Sequence, residues 1–291
     1  MRARRLAVLL PALLLLAVLA GCAAARPVSP RFTLRQRDLP ELAAWLPADA
    51  AARMSAEPRR FLDLLADAMS SPEDTLRLVD KAHGLDPSYE PADLSDLGGR
   101  GLELSKHGLR LRAVALDDLL VMSAAARADG VTLVASSTYR SYAQQRDLWR
   151  AALATQPRAV VERELAPPGH SQHQLGTVID FGSIDDTFAA TDAGRWMADN
   201  AWRFGWSLSY PEGHEGETGY RWESWHFRWI SRPAAALVRD FFGGSQQALL
   251  SFLAVHGGWL EERLVPAAHT GPVRDTVVLP AGEGQFSFST I

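Results

Sequence analysis

The chain has 291 residues, of which 47% are hydrophobic and 22% are charged, and its formal net charge is −4. This length and composition are typical of one large folded domain, or of one domain with additions, and not of a disordered chain. The mild acidity and the lack of a long basic run argue against a nucleic-acid partner.

The N-terminus has the pattern of a targeting segment. Arg2, Arg4 and Arg5 precede an apolar run over 6–20. This run of about 15 residues is shorter than the roughly 20 that span a bilayer as a helix, and a charged start with a short apolar run is typical of a secretory signal. The run ends in LAGC at 19–22, which resembles a bacterial lipobox. We therefore expect residues 1–21 to be a lipoprotein signal peptide and Cys22 to carry lipid; an uncleaved anchor or an ordinary signal peptide is the alternative.

The cysteine count agrees with a lipobox, since Cys22 is the only cysteine in the chain. A lipidated Cys22 leaves the mature domain without a thiol, which excludes a thiol protease and any disulfide. The predicted location is the cell envelope, with the domain anchored to a membrane through Cys22 and facing the periplasm or extracytoplasmic side.

The remaining elements follow from hydrophobic spacing. Residues 22–58 are predicted to be a tether, at 23–37, followed by an N-terminal extension. Helical spacing covers 59–83 (with a break at Ser71-Pro72), 109–128, 141–153, 193–203 and 234–255 (with a break at Gly243-Gly244). Short apolar runs predict strands at 131–135, 177–181, 206–210 and 225–230. Residues 84–108 and 165–175 are predicted loops, and 233–291 is a helical extension and tail of unknown role.

This order of elements predicts the fold class. Helices alternate with short strands, and several connections are too short for parallel crossovers. We expect an α+β domain with a small, largely antiparallel sheet flanked by helices.

Two segments contain most of the ionisable residues with candidate chemistry, and the second of them is rich in Trp. The first runs from His170 to Asp180 and includes His173, and the second contains Glu223 and His226. Buried charge is unfavourable unless it is paired or binds a metal, and catalytic zinc takes three protein ligands. His173, Asp180 and His226 supply two imidazoles and a carboxylate, a set suited to zinc. Glu223 is then left to accept a proton from a metal-activated water.

Spacing restricts this hypothesis. Seven residues of straight strand would separate His173 and Asp180 by roughly 23 Å, so the chain must bend, and Gly176 is the expected position. Glu223 and His226 would point to opposite faces of a regular strand, so a kink near Ser224 is also required. Spacing alone leaves open that these are loop histidines and a packed core histidine.

Three motifs occur in order along the chain: STYRSY at 137–142 followed by Gln145, GHSQH at 169–173 with Asp180, and ESWH at 223–226. In turn, they resemble the Ser-Gly-Tyr-Arg-Ser motif, the Gly-His-Ser-Glu-His…Asp metal motif and the closing Glu-Pro-Trp-His segment of one family. That family is the VanY-type D-alanyl-D-alanine carboxypeptidases, a group that shares its fold with VanX dipeptidases and hedgehog-like zinc domains. The likeness covers about residues 76–232, and we assign 59–232 to a catalytic domain of this type.

The resemblance implies a role for each matching residue. His173, Asp180 and His226 match the zinc ligands, and Glu223 matches the catalytic base. Arg140 matches the residue that stabilises the oxyanion, and further matches line the substrate site: Ser137, Gln145 and Ser171. His170 is expected to form a supporting hydrogen bond rather than to bind the metal. The chain departs from the family pattern at Thr138, at Thr177-Val178 and at Ser224, and none of these changes removes a residue with an assigned role.

The implied function is a zinc carboxypeptidase that removes the terminal D-Ala from peptidoglycan stem peptides. A serine D,D-peptidase is excluded, since it needs Ser-x-x-Lys, whereas Leu78 and Glu103 stand three residues before the two lysines of the chain. An L,D-carboxypeptidase or a peptidoglycan endopeptidase of the same fold is an alternative. A non-enzymatic lipoprotein that binds peptidoglycan is another, although the intact Glu223 argues against it.

Overall fold

A computed structural model describes residues 26–266 of the protein. The predicted signal peptide, Cys22 and the end of the predicted tail lie outside the described residues. The α-helices are α1 (Leu39–Ala44), α2 (Ala48–Ala56), α3 (Pro58–Met69), α4 (Ala113–Ala128), α5 (Tyr142–Thr155), α6 (Arg158–Glu164), α7 (Asp192–Asn200), α8 (Glu215–Thr218), α9 (Arg232–Asp240) and α10 (Gln246–Glu261). The strands are β1 (Leu94–Asp96), β2 (Glu103–Leu104), β3 (Arg110–Arg112), β4 (Val134–Ser137), β5 (Val178–Phe181), β6 (Trp206–Leu208) and β7 (His226–Trp229). None of the helices in 26–266 has the length and apolar character needed to cross a membrane.

One five-stranded sheet organises the middle of the chain, in the order β2-β4-β5-β7-β6. The β2–β4 pair is parallel, and the β4–β5, β5–β7 and β6–β7 pairs are antiparallel. A separate two-stranded sheet pairs β1 with β3. The predicted α+β class with a largely antiparallel sheet is confirmed.

Strand alternation gives the sheet one apolar face. Side chains two apart point the same way, so Ile179 and Phe181 on β5 share a face with Phe227 and Trp229 on β7. These residues pack against α4 and α7 in a cluster that we call the sheet core. Its fully buried members include Leu111, Ala115, Met122, Ala126, Ile179, Met197 and Trp206. Asp180 lies opposite His226 in the β5–β7 register, on the other face of the sheet.

A second cluster, which we call the helical core, joins the two ends of the described chain. Its fully buried members include Phe32, Leu42, Met54, Phe61, Leu62, Leu65, Ile230, Leu237, Leu249 and Leu260. The prediction of a tether over 23–37 is wrong for residues 26–37, because Phe32 is fully buried and the Thr33 amide donates to the Arg263 carbonyl. The predicted boundaries at 58/59 and 232/233 separate segments that share this core.

The predicted loop at 84–108 is also partly wrong, because it contains β1 and β2. Strands of two and three residues are too short to produce a readable alternation of apolar and polar side chains. The predicted helices at 109–128, 141–153, 193–203 and 234–255 and the four predicted strands are all present, with ends shifted by a few residues. The break at Gly243-Gly244 separates α9 from α10, as predicted.

Candidate metal centre and active site

A left-handed residue brings His173 back towards Asp180. His173 lies in a 3₁₀ turn, Gln172–Leu175, that ends at Gly176 with φ of 70°. A side chain at Gly176 would be strained at this φ, and its Cβ would lie 2.9 Å from Leu94 Cδ2. The chain then enters β5, and His173 Nε2 comes within 3.2 Å of Asp180 Oδ2. The bend predicted at Gly176 is confirmed.

A turn just before β7 directs the Glu223 side chain towards His226. The His226 amide donates to the Glu223 carbonyl at 3.2 Å, and the Glu223 amide donates to the Tyr210 carbonyl at 3.1 Å. Because Glu223 precedes the regular strand, its side chain is not forced to the face opposite His226. Glu223 Oε2 lies 3.4 Å from His226 Nδ1, so the kink predicted near Ser224 is present.

The donor atoms of His173, Asp180 and His226 all lie within 4.8 Å of one another, and all three residues are buried. His173 Nδ1 is 2.7 Å from the Thr138 carbonyl oxygen, which can only accept, so Nδ1 carries the proton. Burial lowers the pKa of His173 to about 4, so the imidazole is neutral at pH 7. Its Nε2 lone pair therefore faces the Asp180 carboxylate, an arrangement that a cation between them would stabilise.

The other donors also suit a cation. Asp180 Oδ1 lies 3.0 Å from His226 Nδ1 but makes no hydrogen bond of acceptable geometry within the described part of the chain. Buried polar atoms normally have a partner, and two imidazole nitrogens with one carboxylate form a set that zinc accepts. Burial alone would raise the pKa of Asp180, but the facing His173 and His226 lower it below its usual value, so Asp180 is ionised.

Glu223 has the opposite electrostatic environment. It is 9% exposed, and burial raises its pKa to about 7, with a further contribution from the Asp180 charge. His226, Arg221 and Arg140 act in the other direction. A carboxyl group with a pKa near 7 both takes up and returns a proton at neutral pH.

Arg140 is held in the site by two side chains that the motif also contains. Its Nη1 donates to Gln145 Oε1 at 2.8 Å, and its Nη2 donates to Ser137 Oγ at 3.1 Å. Gln145 is fully buried and donates in turn to the Ala166 carbonyl at 2.6 Å. Each terminal nitrogen of Arg140 has a second N–H that these bonds do not use. Burial lowers the pKa of Arg140, which the Asp180 and Glu223 charges partly counteract.

A single cavity of about 670 Å³ connects these groups. Every residue predicted to act in catalysis, in metal binding or in substrate binding lines it: Ser137, Arg140, Gln145, Ser171, His173, Asp180, Glu223 and His226. His170 is not among the residues that line the cavity, and its Nδ1 lies 2.8 Å from the Asp80 carbonyl oxygen, so this hydrogen bond goes to the Asp80 backbone and not to a predicted metal ligand.

Two tyrosines of the cavity were not assigned a role from the sequence. Tyr210 and Tyr220 line the cavity with their rings 5.0 Å apart, and the Tyr210 ring lies 4.8 Å from the His226 ring. Residue type alone did not indicate a role for either tyrosine, because buried aromatic side chains are common in any core.

The family model described as VanY, D-alanyl-D-alanine carboxypeptidase, matches residues 108–232. The bifunctional D-Ala-D-Ala dipeptidase and D-Ala-D-Ala carboxypeptidase VanXYC of Enterococcus gallinarum is 30% identical over 56% of this chain and 87% of its own length. The chain belongs to the VanY carboxypeptidase family.

Solved structures agree with this membership. The LdcB LD-carboxypeptidase superposes with a TM-score of 0.57 at 30% identity, over 62% of this chain and 88% of that one. A mutant of the vancomycin-resistance D,D-pentapeptidase VanY, in complex with Zn(II), superposes with a TM-score of 0.52 at 28% identity, over 61% of this chain and 99% of that one.

The family likeness covers only part of this chain and of its other relatives. The chain spans 66% of YodJ of Bacillus subtilis, provisionally named a carboxypeptidase, to which it is 32% identical, and 46% of a D-alanyl-D-alanine carboxypeptidase of Enterococcus faecalis. The family match ends at 232, so α9 and α10 lie beyond it.

Proposed function

We propose that this protein is a zinc-dependent carboxypeptidase that removes the terminal D-alanine from peptidoglycan stem peptides. One observation carries the proposal: buried His173, Asp180 and His226 meet in one cavity with Glu223 and Arg140. The VanY family membership supports the substrate class, and the Zn(II) complex of a VanY relative supports the metal.

His173, Asp180 and His226 would hold the zinc ion. Bound there, zinc would polarise the scissile carbonyl and lower the pKa of a water molecule. The neutral imidazole of His173 and the ionised Asp180 already have the protonation states that metal ligands need.

Glu223 and Arg140 perform the remaining chemistry. Glu223 accepts a proton from the attacking water as the new C–O bond forms at the carbonyl carbon. Arg140 directs its unused N–H groups at the oxygen that becomes negative. As the C–N bond breaks, Glu223 returns the proton to the departing amine of D-alanine. Ser137 and Gln145 keep Arg140 in this position.

A pair of stem peptides tests the proposal. The mature domain is incubated with a stem pentapeptide ending in D-Ala-D-Ala and with the tetrapeptide that lacks the last residue, and the products are weighed by mass spectrometry. We expect loss of one alanine from the pentapeptide, and no loss after zinc is removed with a chelator. An intact pentapeptide in the presence of zinc contradicts the proposal.

An L,D-carboxypeptidase is the second candidate, and the likeness to LdcB favours it. This enzyme would shorten the tetrapeptide and leave the pentapeptide intact, so the same assay separates the two. An endopeptidase would leave both peptides intact and would instead cleave cross-linked peptidoglycan fragments.

We also propose that the enzyme works at the cell envelope, anchored through lipid on Cys22 and facing the periplasm or extracytoplasmic side. The lipobox-like LAGC at 19–22 supports this proposal, and so does a substrate that lies outside the cytoplasm. Labelling with a radioactive fatty acid tests it. Wild-type protein should take up the label, and uptake by a Cys22→Ala variant would contradict lipidation at this residue.

A further inference from the structure

The start of α10 forms hydrogen bonds with three separate segments of the chain. Ser245, Gln246 and Gln247 are consecutive, and they reach α8, the β6 region and the loop after the Glu73–Leu76 turn, respectively. All three lie in the C-terminal extension, beyond the family match. A segment beyond the family match therefore makes direct polar contacts with the part of the chain that contains the candidate site.

Gln246 makes the deepest of these contacts. It is 1% exposed, and its Nε2 donates to the Ser207 carbonyl at 3.3 Å. The Ser209 hydroxyl has one proton, which it donates to Gln172 Oε1 at 2.8 Å, with Gln246 Oε1 as a second, longer acceptor at 3.3 Å. Ser209 and Gln172 are both buried, so the series of side-chain contacts from Gln246 through Ser209 to Gln172 is shielded from water.

This series of contacts ends beside both histidines of the candidate metal centre. Gln172 immediately precedes His173 in the 3₁₀ turn, and the Ser209 amide donates to the His226 carbonyl at 3.1 Å. On the other side of His173, the Gln174 amide group donates to the Asp86 and Tyr89 carbonyls. The turn that carries His173 is thus held at both ends by a buried glutamine.

The two neighbours of Gln246 in the sequence form hydrogen bonds with two further segments. Gln247 Nε2 donates to Asp80 Oδ2 at 2.7 Å, and the Asp80 carbonyl oxygen lies 2.8 Å from His170 Nδ1. Ser245 Oγ donates to Glu217 Oε1 at 2.8 Å, close to the segment that bears Tyr220. These hydrogen bonds are only partly buried, but they restrict the orientation of the side chains they join.

We propose that Gln246 is a positioning residue for the metal centre, acting through Ser209 and Gln172 on the turn that carries His173. The inference rests on the proposed function, since it assumes that His173 binds zinc. It assigns the C-terminal extension a role in the site in addition to its packing in the helical core.

Point variants test this role, because deleting α10 would also remove Leu249 and Leu260 from the helical core. Gln246→Met keeps the length of the side chain and removes both polar contacts. Ser209→Ala breaks the link to Gln172 without altering α10. Val255→Ala is the control, since Val255 lies on the same helix and is 75% exposed. The measurements are zinc affinity by chelator competition, the visible spectrum of the cobalt(II) protein, and the melting temperature of the metal-free protein.

We expect Gln246→Met and Ser209→Ala each to weaken zinc binding by about tenfold, the lower end of the range for residues that support metal ligands. The cobalt spectrum should change in both, and Val255→Ala should match wild type. The zinc affinity of the double variant should be no lower than that of the single variant with the lower affinity, because both substitutions break the same series of contacts.

Two results would overturn the inference. One is zinc affinity within twofold of wild type in both single variants; Ser209→Ala supplies this result even if Gln246→Met does not fold. The other is a double variant whose fold-decrease in zinc affinity equals the product of the fold-decreases in the two single variants. Failure of the wild-type protein to bind zinc would instead overturn the proposed function, so the two failures are distinguishable.

Discussion

The two cores of this protein differ in what lies beside them. The helical core joins both ends of the described chain through aliphatic and aromatic contacts, such as the Phe61 and Phe241 rings 5.2 Å apart. The sheet core has the same apolar character on one face of β5 and β7, but the other face holds buried Asp180 and His226.

The buried ionisable groups beside the sheet core mark the part of the molecule where function is expected. Buried ionisable groups destabilise a fold unless they are paired, and an active site gathers them for their chemistry. The buried members of the helical core are aliphatic and aromatic, and we expect these side chains to contribute to stability rather than to the chemistry of the site.

The largest effect is expected for Glu223→Ala. Loss of the proton acceptor should reduce kcat on the pentapeptide roughly a thousandfold, while bound zinc per molecule, measured by atomic emission, stays near wild type. Turnover near that of wild type would show that Glu223 is not the base.

A matched pair of core variants separates the two cores directly. Phe61→Ala and Phe181→Ala both remove a fully buried ring, and each should lower the free energy of unfolding by about 3–5 kcal/mol. Only Phe181→Ala, next to Asp180, should also weaken zinc binding. Denaturant titration and chelator competition measure the two quantities, and equal weakening of zinc binding in Phe61→Ala would contradict the separation.

The pH dependence of the free energy of unfolding should reveal the cost of ionising buried Glu223. The folded pKa of Glu223, about 7, is raised above its ordinary 4.5, so its stabilising contribution is present below about pH 4.5 and is lost as pH rises through 7. In the metal-free protein, Glu223→Gln should therefore gain stability relative to wild type over this range, by at most about 3 kcal/mol. Denaturant titrations at several pH values measure the gain, and a constant difference between the two proteins would refute it.

Arg140→Lys is expected to have the smallest effect of the four. Lysine retains the charge but cannot contact Gln145 and Ser137 with a planar fork and also reach the substrate. We expect kcat/KM to fall about a hundredfold, with zinc affinity unchanged. Full activity in this variant would show that any cation at this position suffices.

Local rules predicted most of the site. Gly176 was expected as the bend because glycine adopts positive φ without strain, and the structure has φ of 70° there. The kink before His226 was expected because a regular strand would separate Glu223 from it. The roles of Arg140, Ser137 and Gln145 came from resemblance alone, since no periodicity indicates that Gln145 on α5 contacts Arg140.

The ends of the chain were predicted less well. Residues 26–37 are rich in Pro and Arg and have no helical or strand period, so they resembled a tether. Phe32 is nevertheless fully buried and bridges to Leu264. Sequence pattern reports the local backbone and the face that a segment buries, but it does not identify a distant partner.

Residue type predicted the two histidines, the aspartate and the glutamate of the candidate site, steric rules over a few residues predicted the bends that let them meet, and family resemblance added the arginine. The folded structure alone shows that both ends of the described chain form one helical core and that Gln246 lies beside Ser209, next to the candidate metal centre. Such contacts depend on how separate elements pack, and packing is a property of the whole chain.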